Sequence, residues 1–451
     1  MQKKEVVVVG GGPGGYVCAL RLAQLGASVT LIEKHKVGGT CLHVGCIPSK
    51  AMIESGKEYA GIMHAATHGL HIKGCNIHFD EICRRRDNVV EALTGGIRGL
   101  LDHHNITFIE GEAKLEGRNV LAGASTFTPD AIVLASGSVQ SDLPGLSIDH
   151  TFILDSTDIF SLTGIPKSLA ILGGGVIGAE FGYLFNTLGS KVTIIEKIER
   201  LVFHEDAEIS AELARYFSRA GITCFFNTTI KHLEPKKIII EREGHDETIA
   251  ADKFLVAVGR RPNTQWLLQS GIALDDHGFV KTDEFLQTNI RGVYALGDCV
   301  YGPMLAHRSS HQGKYIAERI MGRQRKKDTS LIAGAIYTEP QIASVGLTEE
   351  GAQAARIPYK VGRFRFVANG KAKCAGHTEG MIKLIAHQKK GILLGAHIIG
   401  AQASEMIHVL ILAIEQKIKL KKLRNMVFIH PTMSEAIYEA ILDLDGAALH
   451  Q

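Results

Sequence analysis

The sequence predicts an α/β protein made of two dinucleotide-binding units and a separate α+β unit at its C-terminal end. Three observations carry that reading. A strand, a glycine-rich turn, a helix and a second strand follow one another at the start of the chain. The same unit recurs further on at constant spacing. From about residue 331 the pattern changes to strands and helices without a glycine fingerprint. A chain of 451 residues is also too long for one core and fits about two to four domains.

In the first unit a strand over 6–9 feeds Gly10-Gly11-Gly12-Pro13-Gly14-Gly15, a helix to about Leu25, and a strand over 28–33. Gly10, Gly12 and Gly15 fit G-x-G-x-x-G, and Glu33 lies eighteen residues past the last of them. Each part has a task with a dinucleotide: glycines permit a tight turn, the helix N-terminus faces the pyrophosphate, and the acid takes a ribose hydroxyl. In the second unit a strand over 169–172 leads into Gly173-Gly174-Gly175-Val176-Ile177-Gly178, a helix to Leu188 and a strand ending at Glu196. Gly10, Gly12, Gly15, Gly26 and Glu33 map onto Gly173, Gly175, Gly178, Gly189 and Glu196 with a constant offset of 163. Register held at five special positions marks a repeat, so two Rossmann-like sites are expected.

Just after the first unit comes Gly38-Gly39-Thr40-Cys41-Leu42-His43-Val44-Gly45-Cys46-Ile47-Pro48-Ser49-Lys50. On an undistorted helix the two cysteines would sit about 8–9 Å apart. A disulfide tolerates roughly 7 Å between Cα atoms, so pairing requires a bent or tightened backbone between Leu42 and Gly45. A bridge in such a turn is a working bond rather than a staple. On the residues alone, two free thiols or half of a metal site remain open; no second Cys pair at metal spacing exists, so no metal is expected.

Further along, helices are predicted over 49–66 and 80–103, with short strands at 106–110 and 119–121. The run 130–137 is an apolar strand ending in Ser136-Gly137, suited equally to passing a cofactor or to a buried strand with a glycine turn. Strands over 238–241 and 253–258 precede Gly259-Arg260-Arg261-Pro262-Asn263, a return linker. The strand at 293–298 ends in Gly297-Asp298, close enough in character to approach a cofactor polyol, and a helix over 307–321 follows. The last unit holds strands at 344–346, 363–367, 381–386 and 393–399, then helices over 402–416 and 434–444, with His430-Pro431-Thr432-Met433-Ser434-Glu435 between them.

Composition excludes several classes. Lys+Arg of 50 against Asp+Glu of 47 is too balanced for a nucleic-acid or anionic-membrane footprint. No apolar run reaches membrane-spanning length, the start leaves no room for a signal peptide, and eight scattered cysteines do not make a secreted scaffold. A cytoplasmic protein is the expectation.

Taken together, the two dinucleotide units, the Cys-x4-Cys pair, the Gly-Asp strand end and the late His-Pro-Thr…Glu resemble the two-cysteine flavoprotein disulfide reductases (class I pyridine nucleotide-disulfide oxidoreductases), and among them the dihydrolipoamide dehydrogenases. The resemblance runs from Val6 to about Leu444. It implies FAD in the first unit, on Gly10, Gly12, Gly15 and Glu33, and NAD in the second, on Gly173, Gly175, Gly178 and Glu196. Asp298 matches the residue on the FAD ribityl chain, and Ser136, Gly137, Gly259 and Ala306 complete the cofactor-binding set. Lys50 matches the lysine near flavin N5 and Glu180 its acidic partner. Cys41 would exchange with substrate and Cys46 stand against the flavin, the two forming the redox disulfide. His430 matches the acid–base residue, supplied by the opposite subunit of a homodimer, and Glu435 the carboxylate that orients it. Taken alone, His430 among 21 histidines reads sooner as a capping or core histidine and Lys50 as a solvated lysine; the His-Pro-Thr…Ser-Glu context and the place four residues after Cys46 raise them.

The implied domains are an FAD-binding part (1–142), an NAD-binding domain (143–262), a second FAD part (263–330) and a C-terminal dimerisation domain (331–451). The implied reaction oxidises protein-bound dihydrolipoyl groups with NAD. The arm would be brought by a lipoylated acyltransferase subunit of a 2-oxo acid dehydrogenase complex or a lipoyl carrier protein, since no lipoyl segment precedes the first unit. An NAD(P)H-dependent reductase of a glutathione-type disulfide and a flavin-bearing docking subunit are the alternatives. Glu196 favours NAD over NADP, with Lys197 and Arg200 as possible phosphate partners. Ser49 stands where NADPH-linked members carry a second lysine, and no C-terminal cysteine pair of the mercuric-reductase kind is present. The chain departs from the pattern at His43, where asparagine is usual, at Ser136, where threonine is common, and in the short stretch 236–250.

Overall fold

The computed structural model describes residues 3–328 and 330–450. Strand Glu5–Val9 is the middle of a five-stranded parallel sheet whose order is Val293–Ala295, Ala131–Leu134, Glu5–Val9, Ser28–Glu33, Thr107–Glu110. A central parallel strand is covered on both faces, which is why this one is an unbroken valine run. Alternation along it separates two cores. Val6 and Val8 pack with Leu22 of helix α1 (Pro13–Gln24), while Val7 and Val9 pack with Leu115, Val120 and Leu267.

Beyond this unit the chain forms α2 (Gly39–Val44), α3 (Cys46–Met63) and α4 (Phe79–His103). The expected helix over 49–66 thus begins earlier, at Cys46, and a separate helical turn precedes it. The break falls at Gly45, whose φ of −146° and ψ of −114° lie outside the helical region. The bent backbone that the cysteine spacing demands is this break.

The second sheet is also five-stranded and parallel, in the order Thr223–Phe225, Lys191–Ile195, Ser168–Leu172, Lys253–Val256, Ile153–Leu154. Its strand register repeats that of the first: Val9 pairs Ile32, and Leu172 pairs Ile195. Helices α5 (Val176–Thr187) and α6 (Ala207–Arg219) pack on it. The short stretch 236–250 is part of a three-stranded antiparallel hairpin assembly of strands Thr229–Glu234, Lys237–Arg242 and His245–Ala250.

After α7 (Ala306–Ile320) the chain enters a five-stranded antiparallel sheet, ordered Gly334–Ile336, Gln341–Gly346, Leu393–Gly400, Met381–His387, Tyr359–Arg365. Helices α8 (Ala403–Glu415) and α9 (Glu435–Asp443) bury Ile407, Leu410, Ile437 and Ile441 against it. One core crosses the units: Met52 and Ile53 of α3 pack with Leu184 and Phe185 of α5, and Ile336 and Ile399 join them from the third sheet. That shared core fixes the start of α3, and so the cysteines, relative to the second unit.

Candidate active site

A cleft of about 2970 Å³ runs from one glycine turn to the other and takes in Cys41, Cys46, Lys50 and Glu180. The two turns are built alike. Gly10 and Gly173 sit at φ +105° and +103°, and a Cβ on either would meet the carbonyl of Ala135 or Ala257 at 2.2 or 2.4 Å. A Cβ on Gly15 or Gly178 would lie 1.8 or 1.9 Å from the carbonyl oxygen of Gly10 or Gly173. Gly12 and Gly175 differ: nothing lies within 4 Å of a Cβ there, and the helices they precede have no side-chain cap. Uncapped amides facing open space are the donor set a diphosphate needs, so both turns fit a dinucleotide.

The acids are held in place by their own turns. Glu33 accepts the amides of Gly11 at 2.6 Å and His35 at 2.9 Å; Glu196 accepts those of Gly174 at 2.6 Å and Ile198 at 3.0 Å. Each carboxylate lines the cleft and keeps lone pairs for sugar hydroxyls. Arg200, one of the two bases next to Glu196, is committed elsewhere: it grips Glu350 with both terminal nitrogens, at 2.7 and 2.9 Å.

Cys41 lies in α2 and Cys46 opens α3. Both are free thiols, so the bridge that the resemblance implies is not formed here, and a hydrogen bond from Cys41 toward Cys46 couples their charges. That hydrogen bond is the main reason the Cys46 thiol falls to about 7; burial opposes it, and the Lys50 ammonium and the amide at the helix start assist. The same bond, with burial, pushes Cys41 up. One sulfur is therefore prepared as a thiolate and the other as its donor.

Lys50, one turn along α3 from Cys46, places Nζ 2.7 and 2.9 Å from the Glu180 carboxylate. Glu180 is buried and also accepts the amide of Tyr337 at 3.0 Å, and the Lys50 ammonium stands 4.8 Å from the Tyr337 ring centre. Tyr337 escaped sequence reasoning because it lies 157 residues from Glu180 in a loop with no motif of its own. Ser138 escaped as well. Its hydroxyl donates to Asp298 at 2.6 Å and accepts from Arg260 Nε at 2.8 Å, joining the return linker to the Gly-Asp turn.

Ser136, Gly137, Gly259 and Ala306 all line the cleft, with Ala306 the first residue of α7. The Ser136 hydroxyl donates to the carbonyl of Asn263 at 2.8 Å. His43 sets Nε2 2.9 Å from the carbonyl of Val37, tying α2 to the loop before it. Gly178 lies beneath its turn and does not line the cleft. Neither do His430 and Glu435. His430 sets Nδ1 2.9 Å from Glu435 Oε1, Glu435 Oε2 accepts the amide of Thr432 at 2.8 Å, and the imidazole is 79% exposed. Within one chain the dyad is formed but is not brought to the cysteines. Among the described residues no group of three His, Cys, Asp or Glu could hold a metal.

Two nucleotide turns opening on one dithiol define a nucleotide-linked disulfide oxidoreductase. Residues 4–313 match the pyridine nucleotide-disulphide oxidoreductase family and 332–441 its dimerisation domain, and the chain belongs to that family. It is 37% identical to the dihydrolipoyl dehydrogenase of Geobacillus stearothermophilus, over 99% of this chain and 97% of that one. Among solved structures it resembles LpdA of Mycobacterium tuberculosis (TM-score 0.89, 25% identity, 97% of this chain and 99% of that one). It also resembles RclA, an HOCl-induced flavoprotein disulfide reductase of Escherichia coli (TM-score 0.86, 27% identity, 97% and 99%). The dimerisation-domain match supports a homodimer.

Proposed function

We propose that the protein is an FAD-containing dihydrolipoyl dehydrogenase that oxidises protein-bound dihydrolipoyl groups with NAD as acceptor. The observation that carries this is the placement of Cys41 and Cys46, with the Lys50–Glu180 pair beside them, between two nucleotide turns in one cleft. FAD, when bound, accepts the electron pair from the dithiol and returns it to NAD as hydride.

The rest is sulfur and proton chemistry. Starting from the Cys41–Cys46 disulfide, a thiolate of the reduced arm attacks the Cys41 sulfur. Cys46 leaves as a thiolate, the better leaving group because Lys50 and the start of α3 favour its charge. His430 of the partner subunit takes the proton of the second arm thiol, with Glu435 holding its ring, and the arm closes to its own disulfide. The His430 imidazolium returns that proton to the departing Cys41 sulfur, so Cys41 is left as a thiol beside a Cys46 thiolate.

Within this reading, Gly12 and the start of α1 hold the FAD diphosphate, Glu33 its ribose and Asp298, steadied by Ser138, its ribityl chain. Gly175 and Glu196 do the same for NAD; Arg200 is engaged with Glu350, which leaves Lys197, at the cleft wall, as the one base of the two still facing a 2′-phosphate. We assign 1–142 and 263–330 to FAD binding, 143–262 to NAD binding and 331–451 to dimerisation. The names of the curated relatives specify a dihydrolipoyl group, and we assign that arm to a lipoylated acyltransferase subunit of a 2-oxo acid dehydrogenase complex or to a lipoyl carrier protein. The balanced charge and thinly spread cysteines of the sequence support the cytoplasm, and among the described residues no helix is long and apolar enough to cross a membrane.

Purified protein loaded with FAD is expected to reduce NAD with dihydrolipoamide. Turnover restricted to NADPH with a glutathione-type disulfide would replace this reading with that of a small-molecule disulfide reductase.

A further inference from the structure

Two imidazole–carboxylate pairs stand on successive turns of α9, and only one has a part in the reaction above. His430 Nδ1 lies 2.9 Å from Glu435 Oε1, whose second oxygen accepts the Thr432 amide at 2.8 Å. His450 Nδ1 lies 2.7 Å from Glu439 Oε1, whose second oxygen accepts the Leu449 amide at 2.8 Å and that of His450 at 3.4 Å. Nitrogen, oxygen and backbone donor correspond from one pair to the other. The two acids are four residues apart, hence about 6 Å apart on one face of the helix. Glu439 is only 6% exposed, and an acid so buried needs the partners it has. Both imidazoles are largely exposed, at 79% and 71%, and both leave Nε2 free of the carboxylate.

The two pairs also feel each other. Burial works to raise the Glu435 carboxyl; the Thr432 amide and His430, with His450 adding its share, bring it below the ordinary range. Glu439 faces His450 directly, Glu435, four residues back on α9, lies within its electrostatic reach, and His430 is joined to it through Glu435.

Oxidising a dithiol with NAD sends two electrons and one proton to the nicotinamide and leaves one proton over. We propose that His450, held by Glu439, carries that proton from His430 to solvent. The second arm thiol's proton ends on Cys41, so the one left over is the first thiol's: its S–H bond breaks, making the attacking thiolate, as an N–H bond forms at His430 Nε2. His450 Nε2 then accepts the proton, directly or across one water, and loses it to bulk water, so that both imidazoles are restored. The proposal rests on the dehydrogenase reading; His450 is a relay residue and does not touch the reacting sulfurs.

The test uses the full chain with FAD bound, as wild type and as His450→Gln, in dilute and in concentrated imidazole buffer. In dilute buffer the variant is expected to lose about three- to ten-fold in kcat with KM unchanged, and to recover as imidazole replaces the missing relay. No loss, or a loss that imidazole does not restore, overturns the relay. A second arm is independent of substrate: histidine NMR titration of the reduced protein, in which His450→Gln should displace the titration curve of His430. An undisplaced curve also overturns the proposal. Displacement in a wild type that fails to oxidise dihydrolipoamide would support the coupled pair while removing the dehydrogenase reading.

Discussion

At Cys46 five influences compete: the S–H of Cys41, the ammonium of Lys50 and the amide at the helix start stabilise a negative sulfur, while burial and the Glu180 carboxylate oppose it. The hydrogen bond is the largest, which makes a sharp expectation for the two simplest substitutions. Cys41→Ser keeps a donor, so Cys46 should still ionise near 7. Cys41→Ala removes the donor and should raise the inflection by about one unit or more. The pH dependence of Cys46 alkylation by iodoacetamide reads both; identical curves would show that Lys50 rather than Cys41 sets the charge. At this scale the sequence was informative wherever chemistry is local. Cys41, Cys46 and Lys50 sit within one motif, and Glu33 and Glu196 follow their turns at fixed spacing. Tyr337 and Ser138 were invisible because their partners, Glu180 and Asp298, are brought to them only by the tertiary fold.

Between α2 and α3 a single glycine separates the two thiols into different helices. A Cβ on Gly45 would lie 2.9 Å from the Thr40 carbonyl oxygen and 3.3 Å from the Cα of Cys41, both backbone atoms that have little freedom to yield. Gly45→Ala is therefore expected to push α2 away from α3, costing about 1–3 kcal/mol of stability and slowing reoxidation of the dithiol to the disulfide. Calorimetry and the rate of disulfide formation with an added oxidant check it, and an unchanged reoxidation rate would mean that the break does not set the sulfur geometry. The cysteine spacing announced that the backbone must depart from a helix here; that the departure would let Cys46 itself begin the second helix was not legible, because Pro48 reads as the natural start. The third sheet was found strand by strand except for Gly334–Ile336, too short to leave a period.

The whole molecule is tied across its units by a charge cluster that has no signature in the sequence. Lys383 of the third sheet is 2% exposed and reaches Glu349 at 2.6 Å, Asp206 at 2.9 Å and Glu208 at 3.3 Å, Asp206 being the cap of α6 in the second unit. Lys383→Met would leave the buried Asp206 carboxylate without its cation, Arg363 still holding Glu208 and Glu349, and is expected to destabilise by about 3–5 kcal/mol. The pH dependence has a definite sign. Against burial, Lys383 and the Glu349 amide hold the Asp206 carboxyl below its ordinary range; Arg363 first, then Lys383, does so for Glu208. Carboxyls lowered by folding add stability above their unfolded pKa, about 4, and lose it as pH falls through the folded value. Thermal unfolding between neutral and acid pH should thus fall steeply for the wild type and more shallowly for the variant; parallel curves would remove the cluster as the origin of acid sensitivity.

The matched glycine turns have an implication for anyone redesigning this protein. Because the two halves share one backbone grammar, down to the same strand register, the turns themselves read only the feature common to every dinucleotide. What tells one coenzyme from the other is written farther out, in the residues around the acid at the end of each second strand. A coenzyme swap should begin there, at Glu196 and its tethered neighbour Arg200, and leave the glycines untouched.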